Sequence, residues 1–283
     1  MRVLLWMFAS LISFCLLAIG ARELSGQVGV FQTLFFRSLI GAGLLFAIIC
    51  YRGQLKQLKT ERLPMHGLRS IFHFGAQYGW FLGIALLPLA EVFALEFTAP
   101  FWTAILAAVF LKERLSVQRI VAILAGLLGV FIIVQPGSEI FNPASLIVLA
   151  AAVGFAVAFI STKALTSTET PLTILFYMCL LQMPMGLLLA WSDWAAVDGR
   201  NMWIIVLISL AALSAHYCLN QALKLADVTL VVTLDFLRLP LIGAVGVIFY
   251  QEPFTLALIV GGLCMLLGNI ANVYRPRNAK IEP

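Results

Sequence analysis

Apolar runs of close to twenty residues, separated by short polar breaks, cover almost the whole chain. Ten can be read, at residues 3–21, 30–50, 67–87, 90–111, 117–135, 144–164, 171–191, 202–224, 228–249 and 255–274. An α-helix needs about 20 predominantly apolar residues to cross the hydrocarbon core of a bilayer. Each run therefore predicts one transmembrane helix, and the expected fold is an all-α integral membrane protein of ten such helices. The breaks carry turn chemistry, as in Pro136-Gly137-Ser138 and Asn142-Pro143. The longest break runs from Tyr51 to His66. The first run has a single basic residue before it, Arg2, and lacks a small-residue cleavage site ahead of Arg22 and Glu23. It reads as a retained first helix and not as a signal peptide.

Composition agrees with the pattern. The 283 residues are 62% hydrophobic and 11% charged, too few charges to cover the surface of a soluble domain. The five cysteines, Cys15, Cys50, Cys179, Cys218 and Cys264, lie in or at the ends of apolar runs without Cys-x-x-Cys spacing. That placement argues against a disulfide framework or a zinc site. No metal and no cofactor are expected. The net charge of +5 does not point to nucleic acid, because the basic residues are scattered over loops.

Those basic residues carry topology instead. With the N-terminus inside, fourteen Lys and Arg fall on the inner side and two, Arg22 and Arg200, on the outer side; Arg37 and Arg238 lie within helices. The positive-inside rule then places both termini in the cytoplasm, and the chain is expected in a bacterial-type inner membrane. The halves also resemble each other. A shift of 139 residues lays the third to fifth runs on the eighth to tenth, matching Tyr78 with Tyr217, Glu96 with Asp235, Phe97 with Phe236, Phe110 with Phe249, Glu113 with Glu252 and Gly129 with Gly268. A shift of 141 pairs Phe14 with Phe155, Leu24 with Leu165 and Phe35 with Phe176. The expected units are residues 1–138 and 139–283, with five helices each. An odd number of helices per unit inverts the second in the membrane. Inverted repeats place a binding site near the midplane between halves that rock.

Ionisable groups inside a bilayer are costly, so they face a cavity or a partner. Arg37 and Glu96 lie at similar depth in the second and fourth helices and are expected to pair. Asp235 and Arg238 share one face of the ninth helix at i, i+3 spacing. Helix three carries a stripe of Arg69, His73, Gln77 and Trp80, and helix eight a stripe of Ser209, His216, Asn220 and Lys224. One-sided polar stripes should face a hydrated cavity or another helix, not lipid. Under the 139 shift Gln77 meets His216. Tyr78, Tyr217 and Trp102 are candidates for aromatic walls. His73 and His216 are candidate proton carriers because imidazole titrates near neutrality, with Glu96 and Asp235 as rivals; whether transport is proton-coupled stays open. Glu113 and Glu252 are read as carboxylates serving the start of the next helix. Pro100 and Pro240 predict kinks at matched positions. Gly41 and Gly43, and Gly126 and Gly129, suggest close helix packing.

The chain resembles the drug/metabolite transporter superfamily, in particular members with two EamA-type repeats. The resemblance rests on Glu96-Phe-Thr-Ala-Pro-Phe-Trp through Phe-Leu-Lys-Glu113, on Asp235-Phe-Leu-Arg-Leu-Pro240 through Phe-Tyr-Gln-Glu252, and on the Gly-rich helices after each, with Arg37 in the second helix. It covers essentially the whole chain. It implies a central cavity, alternating access and a small-molecule substrate such as an amino acid, an S-adenosylmethionine-like compound or a vitamin. A lipid or lipid-linked flippase of the same fold stays open. A membrane enzyme fits less well, because the three histidines lie on separate elements and no acid, base or metal cluster is visible. No phosphate loop suggests an ATP-driven pump.

Overall fold

The computed structural model describes residues 2–112, 116–134, 143–251 and 256–273. Within them all regular structure is helical: α1 Arg2–Leu24, α2 Val30–Tyr51, α3 Leu63–Leu86, α4 Leu89–Glu96, α5 Ala99–Phe110, α6 Val117–Val134, α7 Pro143–Leu165, α8 Pro171–Ala190, α9 Gly199–Leu225, α10 Val228–Leu234, α11 Arg238–Tyr250 and α12 Leu256–Val273. Short 3-10 turns occupy Leu55–Leu58, Trp191–Asp193 and Asp235–Leu237. Among the described residues, six helical segments are long and apolar enough to cross a membrane: Arg2–Leu24, Val30–Tyr51, Leu89–Phe110, Ala144–Leu165, Pro171–Asp193 and Gly199–Leu225. The chain is a multi-pass membrane protein. Glu113 and Glu252 lie outside the described residues, as does the turn at 136–138.

Helix ends follow local chemistry. Proline is acceptable in the first turn, where its missing N–H would have no partner, and Pro171 sits there in α8. The Thr170 hydroxyl accepts from Thr173 N at 3.2 Å, and the Asp198 carboxylate opens α9 by accepting from Asn201 N at 2.7 Å. Each satisfies one of the orphan donors of a helix start.

The runs at 90–111 and 228–249 do not form single kinked helices; each is broken. α4 stops at Glu96 and α5 starts at Ala99, with Pro100 in its first turn. α10 gives way to the turn Asp235–Leu237 before α11, which carries Pro240 near its start. Proline lacks the N–H and its ring crowds the preceding turn. At the first break the Thr98 hydroxyl accepts no cap bond but donates to Leu95 O at 2.9 Å. Each break holds an acidic residue, Glu96 or Asp235.

α1 packs along α9, α3 along α7, α2 along α8, and α6 along α12; α4 meets α11, and α5 meets α10. The α3–α7 contact is close because it is built on glycine. A Cβ on Gly154 would stand 3.0 Å from Phe72 O, and one on Gly79 would stand 3.1 Å from Ile147 O. Gly41 likewise abuts Cys179, whereas Gly43 has no such neighbour within 4 Å.

Polarity is inverted relative to a soluble protein. Phe8, Leu16, Phe46, Ile71, Leu124, Phe131, Leu207, Ile248 and Leu263 are exposed, while Arg37, Arg69, His73, Gln77, Glu96, His216, Asn220, Asp235 and Arg238 are buried. Lipid accepts the first set and rejects the second.

Candidate functional site

The buried polar residues converge. One cavity is lined by Phe14 and Leu17 of α1, Arg37 of α2, the α3 stripe Arg69, His73, Gln77 and Trp80, Glu96 at the end of α4, Phe155 and Thr162 of α7, His216 and Asn220 of α9, and Arg238 of α11. Its space is about 40 Å³, room for roughly three waters. The helical repeat explains the α3 lining. Steps of four, four and three keep Arg69, His73, Gln77 and Trp80 on one face. On α9, His216 and Asn220 are likewise one turn apart.

At one end stands an ionic cluster. Arg238 Nη2 donates to Glu96 Oε1 at 2.8 Å and to Asp235 Oδ2 at 2.5 Å. Glu96 Oε2 accepts from Trp80 Nε1 at 2.7 Å. The Arg238 guanidinium also lies over three rings, 4.4 Å from the centroid of Phe14, 5.2 Å from Phe93 and 5.3 Å from Phe97. Cation–π contact of this kind is strongest when desolvated. The helix breaks place both acidic residues here, where two helix ends meet a third helix.

In the middle, Arg37 donates through Nη2 to Gln77 Oε1. Gln77 Nε2 lies 2.7 Å from His73 Nδ1, and Gln182 Nε2 lies 3.0 Å from the same nitrogen. The rings of His73 and His216 meet edge-on, centroids 4.9 Å apart. Toward the start of α3, Arg69 Nε donates to Thr162 Oγ1 at 2.6 Å. The expected Arg37–Glu96 pair does not form: Glu96 is bound by Arg238, and Arg37 turns to a neutral amide. Equal depth in two helices does not put two side chains on facing sides. The i, i+3 pair of Asp235 and Arg238 does form.

The structure thus brings together Arg37, His73, Gln77, Trp80, Glu96, His216, Asn220 and Arg238, with Asp235 behind Arg238. It puts three expected residues elsewhere. Tyr78 stacks on Phe31, centroids 4.4 Å apart. Tyr217 meets Trp6 edge-on at 6.0 Å and accepts from Gln221 Nε2 at 2.8 Å. Each follows a stripe residue by one position, about 100° around the helix, and so turns away from the cavity. Trp102 is 38% exposed beside Phe101, while its neighbour Thr103 is fully buried. Phe14, Phe155 and Thr162 line the cavity without having been expected there, and Arg69 lines it with the rest of its stripe. The signal for two of them was present, since Phe14 and Phe155 match each other between the halves.

The sequence is similar to those of known transporters. An S-adenosylmethionine uptake transporter of Rickettsia felis is 27% identical over 249 residues, covering 88% of this chain and 84% of that protein. A riboflavin transporter of Vibrio cholerae is 29% identical over 241 residues, covering 84% and 81%. A crystal structure at 21% identity superposes with a TM-score of 0.78 over 96% of each chain, which shows a shared fold. The model of the EamA-like transporter family matches twice, at residues 1–135 and 142–274. With every described helix falling inside those two matches, the chain belongs to the EamA-like transporter family.

Proposed function

We propose that the protein is a secondary transporter that moves a small polar or zwitterionic organic metabolite across the inner membrane by alternating access. The observation that carries the reading is the buried cavity itself: charged and amide side chains from α2, α3, α4, α9 and α11 face one another inside an otherwise lipid-facing bundle. Burying them is costly, and a polar cargo repays what packing alone does not. Relatives named for S-adenosylmethionine and riboflavin support a metabolite as cargo, and their different names leave its identity to the site.

Two inverted five-helix repeats, residues 1–138 and 139–283, are the second part of the reading. The family match falls once in each half. Exchanging the halves turns the α1–α9 contact into the α7–α3 contact and leaves α2–α8 and α6–α12 as self-matched pairs. Such pairing is what a two-fold axis in the membrane plane requires. The distribution of Lys and Arg supports cytoplasmic termini.

The test is transport by purified protein in proteoliposomes, using radiolabelled S-adenosylmethionine, riboflavin and a set of amino acids. Saturable accumulation of a chemically unchanged compound is expected, lost in Gln77→Ala and Asn220→Ala at unchanged expression and gel-filtration behaviour. Chemical conversion of the label would overturn the reading in favour of an enzyme. Uptake that ignores both substitutions would move the site elsewhere.

A further inference from the structure

Among the residues that line this cavity, the polar atoms that lack a partner share one character; the unpartnered acceptors Asp235 Oδ1 and Gln182 Oε1 sit behind the lining. Arg69 Nη1, Asn220 Nδ2 and Arg238 Nε line it, are buried, and have no hydrogen-bond partner. All three are N–H donors. Arg69 and Asn220 are 3% and 1% exposed. Unpaired buried donors are costly, and a ligand that relieves them must bring acceptors.

Charge points the same way. Three guanidinium groups face two carboxylates, and both carboxylates are taken by Arg238. Among the described residues, Arg37 and Arg69 have no carboxylate within ion-pair distance. Their partners are Gln77 and Thr162, which are neutral.

Arg69 and Asn220 lie at one level. Arg69 is tied to Thr162 of α7, and the next residue, Lys163, donates through Nζ to Leu223 O at 2.8 Å. Leu223 is one turn from Asn220. One turn along the cavity in the other direction, His73 meets His216. α3 and α9 therefore run past each other in opposite senses, with Arg69 and Asn220 at the same end, away from the Glu96–Arg238 cluster.

We propose that Arg69 Nη1 and Asn220 Nδ2 form the cradle for a carboxylate of the transported metabolite. The adjoining Phe155 and His73–His216 rings then receive its less polar part. The site is asymmetric, because at the opposite end the one guanidinium, Arg238, is already shared between two carboxylates. This deepens the proposed transport function and rests on it for the cargo, but not for the electrostatics.

Two measurements test it. In a cysteine-free background, Asn220→Cys is labelled with an anionic sulfonatoethyl and a cationic trimethylammonioethyl methanethiosulfonate of similar size. The cationic reagent is intrinsically the faster of the two with a free thiol, so rates are normalised to a small thiol in solution. The normalised anionic rate should lead by about tenfold, and Arg69→Gln should abolish or invert the lead. Arg69→Lys, which keeps the charge and guards against a folding defect, should retain it. An equal or cationic preference overturns the cradle, as does a preference indifferent to Arg69→Gln, or failure of both reagents to react. In the second measurement, binding of S-adenosylmethionine is compared with that of its decarboxylated form. The carboxylate form should bind at least about tenfold tighter, and Arg69→Gln should erase the difference. Equal binding by wild type overturns the proposal. If neither compound binds, the choice of cargo falls and the labelling result alone decides the cradle.

Discussion

Arg238 has two carboxylates and three aromatic faces, whereas Arg37 and Arg69 have only neutral acceptors. Truncation should therefore be unequal. Arg238→Ala leaves the buried Glu96 and Asp235 without their shared cation, and losing one partner of a buried pair costs about 3–5 kcal/mol. Glu96→Ala leaves Arg238 its bond to Asp235 and should cost less. Denaturation in detergent micelles should rank Arg238→Ala as the more damaging, and the double variant should recover part of the loss. Arg37→Ala combined with Glu96→Ala should lack the recovery expected of a broken ion pair, because the two are not bonded to each other. Trp80→Phe removes the donor to Glu96 from the empty and the loaded protein alike, and should lower stability by roughly 1–3 kcal/mol in the same denaturation. Trp102→Ala, on the exposed side of α5, should change stability less. The sequence made most of the cavity legible at this scale, since buried charge and stripe spacing both announce themselves in an apolar chain. Partner choice was not legible. Depth along a helix can be counted from residue numbers, but the rotation of one helix against another is set by packing, so Arg37 and Glu96 looked matched and are not. Tyr78 and Tyr217 were attractive as a repeated pair, yet a one-residue step turns them off the stripe.

Breaking two helices inside the bundle exposes backbone groups that a continuous helix would satisfy, and such breaks are tolerated where the freed groups are buried in protein or line a cavity. The two breaks put Glu96 and Asp235 on Arg238, so the interruption and the ionic cluster form one construction. Proline sustains it. Pro100→Ala permits α4 and α5 to join into one helix, which would swing Glu96 away from Arg238 and Trp80. Thermal stability should fall if the two helices join, since that separates the buried Glu96–Arg238 pair, and transport in proteoliposomes should fall with it. Equal transport by Pro100→Ala would mean that the break is only a matter of shape. The apolar runs were plain in the sequence because lipid imposes one length and one polarity on every crossing. The breaks were not. A proline announces a disturbance, but whether it kinks a helix or ends it depends on what satisfies the loosened turn, here the Thr98 hydroxyl and the neighbouring helices. The close α3–α7 contact was equally hidden, because Gly79 and Gly154 lie in different runs and only the fold sets them face to face.

A cavity of about 40 Å³ is far below the roughly 300 Å³ that an organic ligand occupies, so the described conformation is a narrow one and transport needs a wider form. Contacts that close the Arg69 end can be named. Arg62 Nη1 donates to Ala164 O at 2.7 Å, Thr60 Oγ1 donates to Glu169 Oε1 at 2.6 Å, and Lys163 Nζ bridges Leu223 O and Ala226 O at 2.8 and 2.6 Å. They tie the start of α3 to the end of α7, and the end of α7 to the end of α9. The opposite end has its own ties, with Arg22 reaching Ile84 O and Leu87 O. If the halves rock about the cavity, the two sets cannot both persist in every state, and weakening one should favour opening on that side. Lys163→Ala removes two charge-assisted bonds to carbonyls that cap α9. Hydrogen bonds to charged groups are worth about 1.5–3 kcal/mol each, so losing even one shifts an open-to-closed ratio about 10- to 150-fold, provided the bond exists only in the closed form. The expected result is faster labelling of Asn220→Cys from the side on which Lys163 lies, the cytoplasmic side in the proposed topology. Arg22→Ala should slow that labelling, or leave it unchanged, and favour access from the other side. Inside-out and right-side-out vesicles distinguish the two directions. Faster labelling from both sides in Lys163→Ala would indicate general loosening of the bundle, and an unchanged rate from either side would show that α7 and α9 stay joined throughout the transport cycle.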